Sequence, residues 1–193
     1  MRSACLALAS LLSASAAAAG AQAPATGDVG VSANVDGVCR LGPPSRPSVD
    51  LGELANRSGI RVGRLAALAD AIVTLPGTYC NFGGTQVTLR AEALVQTELS
   101  QPPPGFARAV NYSATVRTWA EEPPLITTTA SVDGDSPADQ DSGGTEPAAK
   151  LTDLVLAFFG FSVPSDARLV AGTYQGLVTI TLGPAGTGPA QGE

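Results

Sequence analysis

From Val29 the chain alternates apolar and small or polar residues: Val29, Val31, Ala33 and Val35 on one side, Gly30, Ser32 and Asn34 on the other. A period of two predicts a half-buried strand leading to Cys39. Gly42-Pro43-Pro44-Ser45-Arg46-Pro47 reads as a turn or loop, and Val49-Asp50-Leu51-Gly52-Glu53-Leu54 begins the same alternation. Arg64 to Ile72 is the one stretch with helical spacing, with Leu65, Leu68 and Ile72 on one face. It has few turns and no clear cap, so a short helix or an irregular loop is expected. Ile72-Val73-Thr74-Leu75 is β-rich and meets a turn at Pro76-Gly77, and Thr85–Ala91 is a clear strand after Gly83-Gly84.

Pro102-Pro103-Pro104-Gly105 interrupts the chain before a second strong alternation. There Val110, Tyr112, Ala114, Val116 and Thr118 share one face, with Tyr112 in the core and Trp119 at the strand end. Residues 131–149 are rich in Gly, Ser, Pro and carboxylates and predict a long, solvated acidic loop. Leu151 to Val163 is apolar, as in a strand buried on both sides or a packed strand end. In Leu169 to Leu182 a regular strand would bury Tyr174, Gly176, Val178, Ile180 and Leu182 together. Many short strands, frequent turns and no fixed-period repeat predict an all-β chain forming a single immunoglobulin-like β-sandwich. The expected sandwich covers 22–183, followed by a Gly/Pro-rich, flexible tail over 184–193.

The first residues change the picture of compartment. Arg2 and the apolar, Ala-rich run Ala4–Ala19 form a secretory signal peptide pattern, with cleavage expected after Ala21. The run is short for a membrane-spanning helix, and no later apolar run approaches about 18 residues. Export leaves Cys39 and Cys80 in an oxidising compartment, where one disulfide is the natural reading and two separate buried thiols the alternative. The expected location is the periplasm, the cell surface or the extracellular space.

Composition then removes several chemistries. The 193 residues include no histidine and a single lysine, Lys150, and carry a net charge of −6. That excludes imidazole bases and His-containing metal sites and argues against nucleic acid. Glu121 and Glu122 are adjacent, and in a strand they would face opposite ways, a poor arrangement for paired carboxylates. Asp133, Asp135, Asp139 and Asp141 lack the order of a calcium loop. Asn56-Arg57-Ser58 and Asn111-Tyr112-Ser113 match the glycosylation sequon. No enzyme, cofactor or metal site is expected.

The segment LVAGTYQGLVTITL (169–182) resembles the C-terminal signature of the spore coat protein U family, which includes subunits of archaic chaperone–usher pili. Ala171, Gly172 and Tyr174 supply the Ala-Gly-x-Tyr element, and Val178, Ile180 and Leu182 the alternating strand after it. The Val29–Val35 alternation, Cys39, Cys80 and the signal peptide fit the same pattern. The family often has an acidic residue two positions beyond the Tyr, where this chain has Gly176. The resemblance implies a pilin-like sandwich that lacks a strand and receives the N-terminal segment of the next subunit. Val29, Val31, Ala33 and Val35 would be the donated side chains, unless they form the first strand of their own domain. The implied partners are like subunits, a periplasmic chaperone and an outer-membrane usher. The competing functions are a monomeric secreted β-sandwich binding module and a small hydrolase, for which no motif is present.

Overall fold

The computed structural model describes residues 25–186. The expected signal peptide and most of the expected tail lie outside them. The chain divides at Val35 into two units, and every strand belongs to the unit that begins at Asp36. In chain order the strands are β1 (Cys39–Arg40), β2 (Ala71–Cys80), β3 (Thr85–Ala91), β4 (Leu94–Gln96), β5 (Phe106–Ala107) and β6 (Ala109–Arg117). They continue as β7 (Leu125–Thr127), β8 (Asp139–Glu146), β9 (Lys150–Ser162), β10 (Arg168–Leu169), β11 (Tyr174–Gln175) and β12 (Val178–Pro184). Among the described residues there is no α-helix, only a single 3-10 turn at Pro164–Asp166.

The fold is all-β and sandwich-like. One sheet runs β1-β2-β9-β6-β4-β11, with β7 also paired to β6, and the other runs β12-β3-β8. β5 and β10 make a small parallel pair. Between the two larger sheets lie Val73 and Leu75 of β2, Leu154 and Leu156 of β9, Tyr112 and Val116 of β6, and Val87 and Leu89 of β3, with Trp119 beside them. The Cys39–Cys80 disulfide ties β1 to the end of β2. In the chain-entropy account, closing a loop of this length stabilises the fold by roughly 3–4 kcal/mol.

Several expectations are corrected. Val29, Val31, Ala33 and Val35 form no strand, and all four are exposed. Period-two patterning describes how a strand would divide its faces once paired, and this stretch pairs with no edge. Of the two forms expected for Arg64–Ile72 the irregular one is present: Leu65 bridges to Ala55, 66–70 has no regular structure, and Ile72 already lies in β2. Pro76-Gly77 is a bulge inside β2 rather than a turn ending it, marked by a register shift against β9 and by φ +65° at Gly77. A proline, with no N–H to donate, is tolerated in a strand at such an interruption.

The acidic loop also yields. Asp139–Glu146 is strand β8, paired to β3. Asp141 accepts a hydrogen bond from the Leu125 N–H, and Asp139 one from the Thr129 hydroxyl, so these carboxylates fasten neighbouring backbone instead of dissolving the segment. Finally, 169–182 is not one strand. β10, β11 and β12 pair with β5, β4 and β3 respectively, and Gly172, at φ +138°, lies in the turn between the first two.

Candidate functional site

β12 is paired to β3 from Val178 to Pro184, and among the described residues no strand lies along its opposite edge. Its inward side chains Val178, Ile180 and Leu182 pack on the core yet stay only half-buried. Across from that edge, the chain from Cys39 to Arg46 follows the outer edge of β2. It is held there by the β1–β2 pair, by Ser45 N–H to the Thr74 carbonyl, and by the Arg46 guanidinium to the Ile72 carbonyl.

Between these two borders lies an apolar groove of about 670 Å³. Leu41, Val49 and Leu51 form one wall, and Gly176, Val178 and Ile180 the other. The floor is made by Val73, Leu75, Leu156, Phe158, Phe161 and Tyr112. Tyr112 packs on both phenylalanines, with ring centroids 5.9 and 6.1 Å away. Its hydroxyl donates to the Glu92 carbonyl, and burial pushes its phenol well above the ordinary value.

The Ala-Gly-x-Tyr element shapes one end of this groove. Tyr174 donates to the Val170 carbonyl, and burial pushes its phenol up to about 12. A side chain at Gly172 would collide with Gln96, whose amide oxygen accepts from the N–H groups of Glu98 and Leu99. A Cβ at Gly176 would sit 2.9 Å from the carbonyl oxygens of Glu92 and Ala93. There is no space at that position for the acidic residue common in the resembled family. Ala171 is exposed and lines a second cavity of about 760 Å³ between residues 49–57 and 169–174. There Arg57 pairs with Glu53 and holds its carboxyl below the usual range.

The remaining candidates dissolve into the fold. Glu121 and Glu122 are exposed, in the bend between β6 and β7. No group of three or more Asp, Glu, Cys or His among the described residues is placed to hold a metal ion. Both sequon amides are used internally: Asn56 donates to the Arg64 and Leu65 carbonyls, and the buried Asn111 to Ala130.

Sequence reasoning found β12, Tyr174 and the stretches of β2, β6 and β9 that make the floor, but not that these segments border a groove. The alternation of Val49 and Leu51 was the available signal, since both half-buried side chains face the groove without belonging to a strand. The chain matches no protein-family model, no curated protein and no solved structure.

Proposed function

We propose that this chain is an exported structural subunit of a surface fibre or coat, assembled by strand donation between copies. The reading rests on one observation: an apolar groove runs beside the unpaired edge of a strand whose inward side chains are half-buried. A strand with alternating apolar side chains would supply both the missing backbone partners and the missing core. This chain carries such a segment, and it is exposed: Val29, Val31 and Val35 are 88%, 92% and 83% accessible, a costly state for apolar side chains. Together with Ala33 they are the donated residues. The resemblance to the spore coat protein U family adds a periplasmic chaperone and an outer-membrane usher as partners, because a subunit with an open groove needs cover before assembly.

The test is size-exclusion chromatography of the mature protein from a periplasmic preparation, with an unheated SDS gel, beside a variant lacking Gln22–Val35. A heat-sensitive ladder that disappears in the deletion variant is expected. Fibres formed equally well by the deletion variant would remove the donor role. A monomeric secreted binding module is the competing reading, favoured by the second cavity; it predicts a monomer whose melting ignores the deletion.

A further inference from the structure

The base of the N-terminal segment is clamped. Val38 N–H donates to the Asn81 side-chain oxygen at 2.7 Å, and Asn81 N–H donates to the Val38 carbonyl at 3.1 Å. The Asn81 side-chain amide donates to the Asp36 carbonyl at 2.8 Å. Gly37 lies against the Phe82 ring, where even a Cβ would come within 3.1 Å. Residues 36–38 therefore prolong the β1–β2 pairing, carrying the chain past Cys39 and alongside the residues that follow Cys80. This end of the domain is also where β12 finishes, since Pro184 pairs with Thr85 and Ala185 N–H reaches the Gly84 carbonyl.

Resting on the strand-donation reading, we infer that the Asn81 clamp denies residues 29–35 to their own groove and commits them to the groove of a second copy. The reach of the chain decides which groove it can fill. To fill its own groove, the chain would have to reverse before Asp36, travel back level with Cys39, and then run parallel to β12. A tight reversal uses at least two residues, Asn34 and Val35. Retracing residues 36–38 uses about three more, because an extended chain advances at most ~3.6 Å per residue. Residues 31–35 are then spent outside the groove. Of the four donated side chains only Val29 remains, followed by Asp28, Gly27 and Thr26, a charge and two poor plugs for an apolar floor. A segment from another copy carries no such tether and can place all four in register. Asn81 is thus a positioning residue, and assembly between copies follows from the path of three residues.

The experiment compares the mature chain, a variant with eight Gly/Ser residues inserted between Val35 and Asp36, Asn81→Ala, and the 22–35 deletion. Each is refolded at micromolar concentration and read by unheated SDS gel and melting temperature. The unaltered chain is expected to give the ladder. The insertion variant, given the reach to return, is expected to become mainly monomeric, with at least tenfold fewer oligomers and a higher melting temperature than the deletion variant. Asn81→Ala should move in the same direction, with about threefold fewer oligomers. An insertion variant with an unchanged ladder overturns the clamp while leaving strand donation intact. So does an unaltered chain that is a monomer yet loses melting temperature on deletion, since it would be filling its own groove. A deletion that changes neither oligomers nor melting overturns strand donation itself, and the clamp with it.

Discussion

Lys150 shows how much one side chain can carry in a chain so poor in cations. Its ammonium donates to the Trp119 carbonyl and to Glu146 at 2.8 Å, and stands 5.9 Å from the centre of the Trp119 ring. The start of β9, the end of β8 and the turn after β6 meet at this one group. Lys150→Met is expected to lower stability by about 1–2 kcal/mol, because the Trp119 carbonyl loses a charged donor. Denaturant unfolding followed by fluorescence of Trp119, the sole tryptophan, measures it. The pair also has a pH signature. The hydrogen bond from Lys150 holds the Glu146 carboxyl below its ordinary 4.5. A depressed folded-state value means the contribution is present above the unfolded value and fades as pH falls through the folded one. Acid unfolding of Lys150→Met should therefore lack this component, and its deficit against the unaltered chain should shrink below pH 4.5.

At the scale of elements, the groove depends on how the Cys39–Arg46 wall lies on β2. Gly42 N–H donates to the Thr78 hydroxyl, and a Cβ at Gly42 would fall 1.8 Å from the Pro76 carbonyl oxygen. Gly42→Ala must push the wall off the bulge. A loss of about 1–3 kcal/mol is expected and, on the strand-donation proposal, oligomers weakened beyond what the stability loss explains, checked by melting and by unheated gel. The same region marks the limit of sequence legibility. β3 and β6 were readable because their apolar residues alternate along buried strands, and β9 because apolar residues dominate it. β8 was not, because its pairing rests on backbone bonds and on Asp139 and Asp141 capping neighbours, which composition reports as solvent-loving. The C-terminal stretch has the right alternation, but glycines at 172 and 176, needed for close approach to Gln96 and Ala93, let it break into pieces that join different sheets. Of the groove, only separate borders were legible: the alternation of β12 and that of Val49 and Leu51. Its walls come from the contact of segments far apart in sequence, which no local period encodes.

For the whole molecule, the exposed segment carries a chemical asymmetry. Between Arg2 and Arg40 the sequence contains no lysine or arginine. A trypsin-like protease has nowhere to cut in residues 25–38, and Arg40, the first basic residue after them, is held in β1. An elastase-like protease, which cleaves after small aliphatic residues, finds Val29, Val31, Ala33 and Val35 in succession. The two enzymes should therefore disagree about the same molecule. Trypsin is expected to leave the N-terminal segment attached in every state. Elastase is expected to trim it from the monomer within minutes and, on the strand-donation proposal, to spare it in the assembly. Mass spectrometry of the two digests, on monomer and assembly side by side, would turn a gap in the distribution of positive charge into a reporter of which segments are in use.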